Sequence, residues 1–130
     1  MYGPRGWTDR VVQAVARLGN IKHRVGRDSI RFGQLGALDF LAMAEWLPAG
    51  NLEERQHQGP TIRTFLELAQ KEPDASFEGY IITGARDDER LSIDGVHVPS
   101  SFDFAGTGID PATADEDDQV GDFKRRLWWD

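Results

Sequence analysis

The sequence predicts an α+β domain, with about three helices packed on one face of a small antiparallel β-meander and an extended C-terminal arm. Three observations carry this. Apolar residues recur at helical spacing, or crowd a helix-length segment, three times before residue 72. Strand formers and turn dipeptides then concentrate between residues 77 and 98. After Pro99 the chain becomes polar and acidic and ends in Phe123-Lys-Arg-Arg-Leu-Trp-Trp-Asp. The expected organisation is one globular body over 1–100. An acidic loop and aromatic arm over 101–130 then dock on that body or on a neighbouring subunit.

Thr8 is placed to cap a first helix, in which Val11, Val12, Val15 and Leu18 form a narrow apolar stripe. Gly19-Asn20 is its stop signal. Residues 21–32 (IKHRVGRDSIRF) are irregular, with Gly26 at a turn and a short strand over Ser29–Phe32. Gln34–Leu47 is expected to be the second helix, ended by Pro48 and Gly50. Its apolar residues wrap well beyond one stripe, so it is central in the core or lies under a partner. Asn51 with Glu54 resembles a capping box opening a short helical turn toward His57. Pro60 suits the first turn of a third helix, where Ile62, Phe65, Leu66 and Ala69 fall on one face and Pro73 ends it.

Phe77–Thr83 is the clearest strand, followed by a GARDD turn. Next comes LSI-DG-VHV, where Asp94-Gly95 is a preferred two-residue hairpin loop. That loop sets Ile93 opposite Val96 and predicts a three-stranded meander over 78–98. A bulge at Asp94-Gly95 within one longer strand is the alternative. Gly106-Thr-Gly and the acidic run Asp115–Asp118 are expected to be solvated loop. Trp128 and Trp129 each forgo about 2 kcal/mol of burial if left in water, so they are expected to dock.

Composition narrows the function classes. The 130 residues contain no cysteine, which excludes disulfide frameworks, thiolate metal sites and thiol nucleophiles. The N-terminal MYGPRGWTDR lacks the apolar stretch of a signal peptide. No apolar run approaches the roughly 18 residues that span a bilayer. A cytoplasmic protein without a membrane partner is therefore expected. Net charge is −7, and arginine outnumbers lysine 12 to 3. Low lysine with abundant aspartate suits a halophilic proteome or a GC-rich genome. Residues 1–32 carry seven basic and two acidic side chains, a net +5, which leaves −12 on the remainder. Such a split points to charge pairing within the chain or between chains.

Candidate chemistry is sparse. Glu54-Arg-Gln-His57 has a di-iron-type spacing, but such sites need a second copy and two further glutamates. No metal and no cofactor are expected. There is no Gly-x-Ser-x-Gly, His-Glu-x-x-His or Walker lysine. His97, on the polar side of the meander, is the acid–base candidate, and Arg86 or Arg90 with nearby carboxylates are the further candidates for a pocket between sheet and helices. Asp87-Asp88-Glu89 is expected to be solvated charge at a hairpin tip. Lys22, His23, Arg24, Arg27 and Arg31 form a basic cluster suited to an anion or a partner. Nucleic acid is the weaker assignment for it, because the net charge opposes a polyanion and no stacking aromatics are interleaved. Pairing with the acidic segment around Asp115–Asp118 is favoured instead. Phe123, Trp128 and Trp129, with the over-apolar second helix, are the candidate interface of a homo-oligomer. The preferred function is a small interaction or regulatory module that self-associates. A pocket beside the meander, enzymatic or ligand-binding, is the alternative.

Overall fold

Among the described residues, a six-stranded antiparallel sheet and three α-helices build the fold, so the α+β class holds. The computed structural model describes residues 4–26 and 28–130, excluding the side chains of His23 and Val25. In chain order the elements are α1 (Thr8–Arg17), β1 (Ile21–Val25), β2 (Ser29–Gly36), α2 (Ala37–Met43), α3 (Ile62–Lys71), β3 (Ser76–Ile82), β4 (Arg90–Pro99), β5 (Glu116–Val120) and β6 (Lys124–Trp128). The strands lie in the order β1-β2-β3-β4-β6-β5. The chain thus builds the sheet from β1 to β4, and the final ribbon adds β6 before β5. No described helix is long and apolar enough to cross a membrane.

Alternation decides the layers. Phe32, Phe77, Ile81, Leu91 and Leu127 point to the helix side and join Val11, Val15, Phe40 and Phe65 in one core cluster. Phe77 sits at its centre, 4.8 Å from the ring of Phe40 and 5.8 Å from that of Phe65. The opposite face carries Arg31, Glu78, Tyr80, Ser92, His97 and Arg126.

The two-residue hairpin does not form. Residues 90–99 are one strand, and the register slips where Glu78 pairs with Gly95 but Gly79 pairs with Ile93. Asp94 is the extra residue of a bulge. The bulge meets the same demand as the hairpin, turning Ile93 and Val96 to one side. It wins because both halves of β4 remain paired with β3, and residues 95–99 pair with β6 as well. Gly95 is needed there, since a Cβ would collide with the Glu78 carboxylate that lies across it.

Other boundaries move for equally local reasons. The second helix starts at Ala37, because Leu35 and Gly36 still pair with Phe77 and Ser76. Gln34 takes a positive φ of 55° where that register shifts. Residues 21–25, irregular in sequence, pair with β2 as an outer strand. The acidic run enters β5, which is exposed along its whole length and so lacks the alternation that marks a half-buried strand. Its pairing with β6 is reinforced by Arg125–Asp117 and Arg126–Glu116 ion pairs. The turn after Pro48 is a short 3-10 helix over Ala49–Glu53, and Asn51 inside it bonds the backbone of Leu91 rather than capping. Thr61 caps α3 by accepting from Thr64 N–H. Thr8 is the first residue of α1 rather than its cap, and the capping groups come from Glu89 on the far side of the sequence.

Candidate functional site

The face opposite the helices holds the densest group of polar chemistry. Glu78 and Asp94 project from the middle strands, and their side chains are only 6% and 5% exposed. Buried carboxylates need partners, and each has an arginine. Arg31 grips Asp94 through two bonds of 2.7 and 3.0 Å. Arg126 donates to Glu78 at 2.6 Å and to Glu116 at 2.9 Å, and its guanidinium lies over the Trp128 ring. Lys22 approaches Glu78 at 3.7 Å. Burial pushes the Asp94 carboxyl upward, with the Arg31 bonds opposing it.

Committing each acid to an arginine makes a preorganised ionic lattice rather than a free acid–base pair. The lattice also defines the environment of His97, which sits in register with Ser76 and Arg126. Burial lowers the His97 pKa most; Arg126, Lys22 and Lys124 lower it further, while Glu78 opposes them. Between that lowered value and the ordinary value of about 6.5, the unfolded chain holds a proton that the folded chain rejects. Stability from this group is therefore complete above about pH 6.5 and falls as pH drops through the window. The urea midpoint is expected to fall between pH 7.5 and 5.5, and by less in His97→Gln. Equal drops in both proteins would remove His97 as a source.

The other candidates lie apart. Arg86 and Arg90 both bond Asp88 at 2.7 Å, and the Arg90 bond holds the Asp88 carboxyl below its ordinary range. Arg90 also lies over the Tyr80 ring and 3.4 Å from Glu54. His97 stands seven residues further along β4, about 23 Å at strand rise. The three therefore do not converge. The cavity bordered by Phe104 and Arg125, about 570 Å³, and the one bordered by Arg5 and Arg24, about 600 Å³, are lined by none of the three.

Glu54 and His57 also separate. The 3-10 helix ends at Glu53, so the motif has no helical face to share. Glu54 turns to Ser92 and Arg90, whereas the His57 ring meets the backbone carbonyl oxygen of Asp130. No group of three or more metal-ligating side chains occurs among the described residues.

The basic cluster is divided between faces. Lys22 and Arg31 serve the lattice, whereas Arg24 is in register with Ile30 on the helix side and borders a cavity with Arg5 and Gln13. Arg27 and the His23 side chain lie outside the described residues. The acidic run takes its counter-charges from Arg125 and Arg126 instead, and β1 and β5 stand at opposite ends of the sheet. Of the aromatic trio, Trp129 is 1% exposed in this chain's own core and Trp128 lies over Arg126. Phe123 is 79% exposed.

Glu78 was not singled out, although a lone carboxylate inside a strand of apolar formers is a signal. Glu89, expected to be solvated with Asp87 and Asp88, is instead buried and accepts from Gly6 and Thr8, and Asp94, expected in a hairpin loop, is buried at the bulge. Comparison with known proteins finds no matching family model, no matching curated protein and no matching solved structure.

Proposed function

We propose that this protein is a small interaction module that associates with copies of itself. The observation that carries the reading is Phe123, an aromatic ring left 79% exposed at the turn joining β5 to β6, with Val120 beside it at 42%. A ring of that size regains about 2 kcal/mol or more when covered. The turn needs no aromatic of its own, since Gly121 supplies the positive φ of 64°. The commitment of Glu78 and Asp94 to arginines supports recognition over acid–base catalysis, because a working acid or base must be free to exchange its proton. Light scattering coupled to size exclusion tests the reading. The unmodified protein is expected above its 14.6 kDa chain mass. Phe123→Asp is expected at that mass with an unchanged melting temperature. An unmodified protein that stays a monomer at every concentration sinks the proposal.

A further inference from the structure

We infer that copies of this chain join edge to edge, the basic outer strand β1 of one against the acidic outer strand β5 of the next. The inference rests on the self-association reading and names its surface. The strands between them put β1 and β5 roughly 24 Å apart, so they do not neutralise one another within a chain. Each ends the sheet and presents a row of backbone N–H and C=O groups outward. β1 carries Lys22 and Arg24 and no acid, whereas β5 carries Glu116, Asp117 and Asp118 and no base.

Charge then selects the pairing. A symmetric junction of β1 with β1, or β5 with β5, sets like charges opposite one another and is disfavoured. The β1–β5 junction sets opposite charges together on both faces. Arg24 shares the helix-bearing side with Asp117, since their register partners are Ile30 and Leu127. Lys22, reaching Glu78, shares the other side with Glu116 and Asp118. Among the described residues, Arg24 and Asp118 form no ion pair; across the junction Arg24 adds its charge to the Arg125–Asp117 pair on one side, and Asp118 adds its charge to the Lys22–Glu78 pair on the other.

A junction between two different edges leaves one of each free, so it grows rather than closing as a dimer. Each added copy advances the sheet by about 29 Å and turns it by roughly 120–150°, following strand spacing and twist.

Sedimentation velocity tests this. For the unmodified protein at about 0.05 M salt, the average mass is expected to climb with concentration without stopping at a dimer. Near 1 M salt, where screening shortens to about 3 Å, it is expected to fall toward the monomer. Arg24→Glu and Asp117→Lys are each expected to remain monomeric at low salt. Their equimolar mixture is expected to regain mass, because every mixed junction again joins opposite charges. Far-UV circular dichroism checks that both variants fold, and hydrogen exchange of the β5 and β6 amides checks that Asp117→Lys, which gives up the Arg125 ion pair, keeps β5 on the sheet; if either check fails, the salt series on the unmodified protein decides. Association that persists in both reversals, or strengthens with salt, overturns the edge junction and leaves self-association standing. A monomer under all conditions overturns both.

Discussion

Trp129→Ala is expected to destabilise the fold by about 3–5 kcal/mol, the cost of emptying a large aromatic site in a packed core. The ring is 1% exposed and meets Phe65 edge-on at 5.9 Å. Its indole N–H donates to Thr113 Oγ1 at 3.0 Å, which fixes the residues before β5. It also lies against Gly59, where an added Cβ would come within 3.2–3.3 Å of it. One side chain thus ties the last strand to α3 and to two loops. The backbone adds to the tie, since Trp129 N–H donates to Asp94 C=O just beyond the β4–β6 ladder. Thermal and urea melts check this, with a melting temperature lower by more than about 10 °C. A loss under about 1 kcal/mol would mean the arm is not part of the core. The same burial means that trimming both tryptophans tests folding, not association. Phe123 is the residue that separates the two.

Legibility in the sequence followed periodicity. α3 and β3 stood out because their apolar residues repeat at a helical and a strand spacing and both meet one core. β5 did not, since a strand exposed on both faces buries no side-chain pattern. The Asp94-Gly95 segment failed differently. Hairpin loop and bulge both place Ile93 and Val96 on one side, so local sequence satisfies either. The choice is made by β6, whose side chains occur some 30 residues later. The candidate site suffered from the same distance. The histidine was found because its residue type invites chemistry, but the arginines that lock Glu78 and Asp94 are 48 and 63 residues away in sequence. Charge asymmetry was legible as a sum. Its arrangement into one basic and one acidic edge required the strand order.

Glu89→Gln is expected to cost about 2–4 kcal/mol, although it changes one atom of a residue in an acidic turn. The Glu89 side chain is the cap of α1, supplied from β4's approach rather than from the helix's own sequence. One carboxylate oxygen accepts from Gly6 N–H at 2.8 Å; the other accepts from Thr8 N–H at 3.0 Å and from Thr8 Oγ1 at 2.6 Å. Both Glu89 and Thr8 are buried, at 6% and 0% exposure, so water does not replace a lost bond. A carboxylate satisfies this site because all its positions accept. The amide of glutamine keeps one acceptor and turns an N–H₂ toward a donor whichever way it flips. It also removes the negative charge that the positive end of the helix favours. Hydrogen exchange separates this loss from general weakening: amides of α1 and of residues 5–8 are expected to exchange earlier in the variant than those of β3 and β4. Uniform acceleration across the sheet would show that the carboxylate supports the core as a whole. Unchanged stability would show that α1 is capped by something other than Glu89.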